Sequence, residues 1–169
     1  MKSLLTSFLF CSISLVAGAH NNMAFGNNKP ADLTQVLGVY YEIKNALVNS
    51  DYTIANIKAD QFIKAINEVD MKGLAAANHT AFMESQSKLL ADAKAVAEAK
   101  NIDGQRTAFS SLSNTMYVLA KAARLSADPV YQAYCPMKKM YWLSNDPSIR
   151  NPYYGKMMLT CGKVTDTLK

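Results

Sequence analysis

Residues 134–162 read YCPMKKMYWLSNDPSIRNPYYGKMMLTCG. Whether this stretch holds regular structure decides the fold class, because the chain before it reads as helix. It carries two of the three cysteines, the only tryptophan, four of the nine methionines and three of the five prolines. No run of alternating apolar and polar residues is long enough here to mark a strand. Asn145-Asp146-Pro147 and Asn151-Pro152 are turn signals. Gly155 suits a backbone position with positive φ. The expectation is an irregular segment laid on a helical scaffold. Tyr131, Tyr134, Tyr141, Trp142, Tyr153 and Tyr154 would anchor it, since rings bury large areas while their polar tips stay wet.

Upstream, four stretches repeat apolar residues every three or four positions, the spacing of one helix face. Val36, Tyr40, Ile43 and Leu47 form the first, opened by Pro30 and broken by Asn49-Ser50-Asp51, where Ser50 or Asp51 caps the next helix. Ala55, Ala59, Phe62, Ile66 and Val69 form the second, which ends within residues 70–73. The third runs over residues 79–100 with Phe82, Leu89, Ala93 and Val96, and Gln86 as its polar exception. The fourth has Phe109, Leu112, Met116, Leu119 and Ala123, with Asp103 as its cap and Ala127-Asp128-Pro129 as its stop. Charged positions on these helices read as solvated faces. Four amphipathic helices with short connections predict an all-α, up-and-down antiparallel four-helix bundle. It forms a single domain over residues 31–169, with residues 128–169 as the tail.

Residues 1–19 read as a signal peptide: Lys2, an apolar run over residues 4–16, and Ala17-Gly18-Ala19 as the cleavage site. The apolar run is short of the roughly 20 residues that span a bilayer. Lipidation at Cys11 is the rival reading, disfavoured by the bulky Phe10 before it. The mature chain would be periplasmic, begin at His20 with an Asn-rich lead-in over residues 20–30, and contain no membrane span. Its charge is uneven. Residues 20–134 hold 11 Lys and Arg against 11 Asp and Glu, whereas residues 135–169 hold six against two. The excess positive charge therefore lies on the cysteine-bearing tail, where it would favour anions or lower thiol pKa values. It is no nucleic-acid signature, because no groove-reading motif accompanies it.

Cys135-Pro136-Met137 puts two sulfurs on one side of an extended chain, and Met158 and Cys161 share one side of a helical turn. If these segments meet, Cys135, Met137, Met158 and Cys161 offer two thiols and two thioethers, with Met140 and Met157 in reserve. Such soft donors select Cu(I) over harder ions. A tetrahedral zinc site would need more Cys or His than lie nearby, since the chain holds only His20 and His79. An equally simple reading of two cysteines in an oxidising compartment is a Cys135–Cys161 disulfide that locks the tail of a protein-interaction module. His20, at the mature N-terminus, could chelate Cu(II), and His79 falls in a formal Asn78-His79-Thr80 sequon but reads as a surface residue. Arg106 and Arg150 are expected to tie the tail to the bundle. No nucleophile elbow, phosphate loop or Cys–His pairing is present, which points away from an enzyme.

The order CPM (135–137), WLS (142–144), IRNPYYG (149–155) and ML-CG (158–162) resembles the exported helical family called domain of unknown function 3347. YEIKNALVNSD (41–51) and NIDGQRTAFSSLS (101–113) resemble its other recurrent blocks, so the likeness extends over about residues 33–167. Such domains occur alone and appended to membrane-fusion subunits of copper and heavy-metal efflux pumps. The resemblance implies Cys135, Met137, Met158 and Cys161 as ligands of Cu(I) or a similar soft ion, and heavy-metal efflux adaptors as partners. Two departures bear on the pocket. The insert between CPM and WLS is short and basic here, and a tryptophan common near the third helix is replaced by residues such as His79 or Phe82.

Overall fold

The computed structural model describes residues 32–169. The expected signal peptide and cleavage site, Cys11, His20, the Asn-rich lead-in and Pro30 lie outside the described residues. Four helices come first: α1 (Leu33–Val48), α2 (Tyr52–Asn67), α3 (Ala76–Ala97) and α4 (Ile102–Ala122). Three starts are capped by side chains that satisfy otherwise unpaired amides. Asp32 accepts from Gln35 N, Asp51 from Ile54 N and Asn101 from Gly104 N, each at 2.9 Å. Asn101, rather than the expected Asp103, therefore caps α4. The predicted stripes are the core: Val36, Tyr40, Ile43, Leu47, Phe62, Phe82, Leu89, Phe109, Leu112 and Met116 have no exposed surface. On α3 the buried polar residues are Ser85 and Asp92, and Gln86 is only half-buried. Consecutive helices pack side by side, as short connections require.

The tail overturns the all-α expectation. It forms β1 (Val130–Cys135), β2 (Met140–Ser144) and β3 (Lys163–Leu168), an antiparallel sheet in the order β2-β1-β3. The fold is α/β, four helices followed by a three-stranded sheet. The strand signal is hidden for physical reasons. Within β1, Val130, Gln132, Ala133 and Cys135 are all buried, and β2 buries Trp142, Leu143 and Ser144 in a row. Strands covered on both faces lose the alternation that marks a half-exposed strand. The β1–β2 hairpin also lacks a glycine. Lys139 takes the left-handed backbone at φ 56° that Gly or Asn would normally announce. Between β1 and β3 the register slips, with Gln132 opposite Asp166 and Ala133 opposite Val164, so that Thr165 is an extra residue.

β2 lies against α4. The Tyr40 hydroxyl, fully buried, meets Ser113 Oγ on α4 at 2.8 Å and accepts the Leu143 amide of β2 at 2.9 Å. One oxygen thereby joins α1, α4 and the sheet. An aromatic row continues this seam: Trp142 packs edge-on to Tyr153, Tyr153 against Phe109, and Phe109 stacks on Tyr40 at 5.1 Å. On the opposite edge, Tyr117 of α4 donates to Asp166 of β3 at 2.6 Å. Two charged helix residues are not solvated as expected, since Lys44 and Asp92 are buried.

Candidate functional site

Cys135 is the last residue of β1 and Cys161 follows the 3-10 turn Gly155–Met158. The fold brings the two together. The Cys161 thiol lies beside the Cys135 side chain and the Met137 amide. Both are free thiols. Cys135 is fully buried, while Cys161 is half-buried and reachable from solvent. Partial burial, then the Cys135 thiol beside it, push the Cys161 pKa above its ordinary value. The expectation that the tail lysines would ionise the thiols is not met at Cys161. Lys138, the closest in sequence to the CPM turn, instead places its ammonium 5.2 Å from the centre of the Tyr154 ring.

The methionines stand differently. Met137 and Met158 belong to the same two segments, and the Met158 carbonyl accepts the Cys161 amide at 3.1 Å. Their side chains are 62% and 37% exposed. The backbone of the four-residue set thus converges, and its two thiols meet, while its two thioethers face solvent. Among the described residues no three His, Cys, Asp or Glu side chains cluster as a metal site would need. A metal here would rest on Cys135 and Cys161, with Met137 or Met158 swinging in as a third, soft donor.

A residue read only as a turn signal sets this geometry. Asn151 is fully buried. Its Nδ2 donates to the Cys161 carbonyl at 2.7 Å, its amide to the Leu159 carbonyl at 2.8 Å, and its Oδ1 accepts the Tyr153 amide at 2.8 Å. The signal was present in Asn151-Pro152, but its reach of ten residues to Cys161 was not. Gly162, next to Cys161, must be glycine: a Cβ there would come within 2.8 Å of the Trp142 ring. Gly155 has the positive φ expected of it, at 56°, and a Cβ would sit 2.5 Å from Ser50 Oγ and 2.8 Å from Arg106 Nη2.

Arg106 is the tie that the sequence suggested. Its Nε donates to the Pro152 carbonyl at 3.0 Å and its Nη2 to Ser50 Oγ at 2.9 Å, so one guanidinium joins α4, the α1–α2 turn and the tail. It also lines a cavity of about 50 Å³ with Asp103, Thr107, Lys138, Met140 and Tyr153, which is room for ordered water rather than a substrate. Arg150 remains exposed. Lys44, unnoticed in the sequence, is 3% exposed and donates to Ser144 Oγ at 3.3 Å. Burial first, and then repulsion from Arg150, lower its pKa to about 8, while Asp146 opposes the shift.

The four helices carry a three-stranded sheet whose central strand ends at Cys135, beside Cys161. Residues 36–128 match the family described as "Protein of unknown function (DUF3347)", and the chain belongs to it. The matched span begins within α1, takes in the other three helices and stops before β1. No curated protein and no solved structure matches the chain. No helix among the described residues is long and apolar enough to cross a membrane.

Proposed function

We propose that this is an extracytoplasmic binding protein, not an enzyme, that holds Cu(I) or a similar soft ion through Cys135 and Cys161. It would sequester the ion or pass it to an efflux adaptor. The observation that carries this reading is the contact between two thiols drawn from segments 26 residues apart, one of them open to solvent. Met137 and Met158, exposed beside the pair, supply soft donors without competing protons. Binding must displace the Cys161 proton, whose pKa is raised, so affinity should strengthen as pH rises toward the thiol range.

The test is anaerobic titration of Cu(I) into the reduced protein against a competing chelator at several pH values. One-to-one binding is expected, lost in Cys161→Ser and weakened about tenfold in Met158→Leu. Failure of the folded, reduced protein to compete for Cu(I) would sink the reading. The same thiol contact favours a second reading, a Cys135–Cys161 disulfide that locks the tail of an interaction module. Under it, the protein as isolated has no free thiols and Met158→Leu is silent.

A further inference from the structure

Large apolar side chains on the helices reach solvent at scattered points, Ile54, Ile57, Met83 and Val118, which is ordinary for a folded protein. The tail is different. Met137 at 62%, Met157 at 77% and Met158 at 37% exposure come from two segments that the fold holds together. The Met137 amide lies beside the Cys161 thiol, and the Cys161 amide donates to the Met158 carbonyl at 3.1 Å. Lys138 reaches across to the Tyr154 ring, one residue before the turn that bears Met157 and Met158. Lys138, Lys139 and Lys156 are exposed around these methionines, and no ion pair among the described residues includes them. The result is an apolar surface of flexible thioethers rimmed by uncompensated positive charge.

We propose that this surface docks an acidic polypeptide segment whose apolar side chains pack on Met137, Met157 and Met158 while its carboxylates meet Lys138, Lys139 and Lys156. Methionine suits such a role because its unbranched, polarisable side chain repacks against varied partners. The basic rim selects carboxylates and speeds their approach. A lipid surface fits less well. Interfacial anchoring uses exposed Trp, Phe or Leu, and the only Trp, Trp142, is 1% exposed. The inference stands on exposure and charge, independently of any metal at the thiols.

The experiment selects random twelve-residue peptides displayed on phage against the metal-free, reduced protein. It is followed by titration of the recovered peptides against Lys138→Glu/Lys156→Glu and Met157→Ser. These positions are exposed, so the variants should fold, which circular dichroism checks. The expected result is peptides rich in Asp and Glu interleaved with apolar residues. Their affinity should fall at least tenfold in both variants and decline with added salt. Recovery of no peptide, of peptides without acidic bias, or of peptides indifferent to both variants would overturn the proposal. So would Met157-dependent flotation with phosphatidylglycerol vesicles in the absence of peptide binding, which would assign the surface to a membrane. None of these outcomes alters the Cu(I) titration, so each reading can fail alone.

Discussion

A single guanidinium ties the tail to two other parts of the fold. Arg106 is buried, and its fork is spread over the Pro152 carbonyl, Ser50 Oγ and, at 3.4 Å, the Leu47 carbonyl. Asp103, its exposed acidic partner at 3.3 Å, contributes little by comparison. Arg106→Met should cost about 3 kcal/mol in urea unfolding, because it strips charge-assisted bonds and leaves buried acceptors unpaired. Arg106→Lys should recover little, since a point charge cannot span the same partners. In both variants Cys135, fully buried in the parent, should react faster with iodoacetamide. Lys44 makes the opposite kind of contribution. Its amine is held at about 8 against an ordinary 10.5. Between those values the unfolded chain binds more protons than the folded one, so this residue makes stability rise with pH across that window. Urea midpoints of the parent minus those of Lys44→Met should therefore climb by the equivalent of roughly 2 kcal/mol from about pH 7.5 to pH 10. A flat difference would mean that Lys44 is solvated after all.

Among the elements, the helices were legible and the strands were not. A stripe such as Phe109, Leu112, Met116 and Leu119 repeats over several turns, and every member is fully buried as the period demands. The strands run only five or six residues each, and β1 and β2 are buried too completely to alternate. The turn between them hides as well, because Lys139 occupies a backbone region that glycine usually signals. Lys139→Gly should consequently stabilise the protein by up to about 1 kcal/mol, once relief of the strain is set against the added freedom of the unfolded chain. Thermal unfolding checks this, and a lower melting temperature would show that the Lys139 conformation is unstrained. The candidate site was legible in part for the same reason. Cys135-Pro136-Met137 and Met158 to Cys161 stood out by composition. Their meeting depends on Asn151, Gly155 and Gly162, whose partners lie across the fold and leave no local pattern.

For the molecule as a whole, helices and sheet form one core. Trp142, Leu143 and Tyr153 belong to the same buried cluster as Tyr40 and Phe109. The family match ends at residue 128, yet the apolar surface it encloses is finished by residues beyond it. A chain ending at Asp128 should keep much of its helical circular dichroism but lose cooperative urea unfolding and bind a hydrophobic dye. Sharp two-state unfolding of that fragment would show that the helices close their own core. The central position of β1 carries a consequence for how the chain folds. Its two neighbours, β2 and β3, both follow it in sequence. The helices pair with their neighbours in the chain, whereas β1 is covered only when later segments return to both of its edges. Until they do, the Tyr40 hydroxyl lacks its amide, Cys161 has not met Cys135, and both edges of β1 stand open. The folding chain therefore passes through a sticky, thiol-exposed stage, when a holding chaperone would matter most.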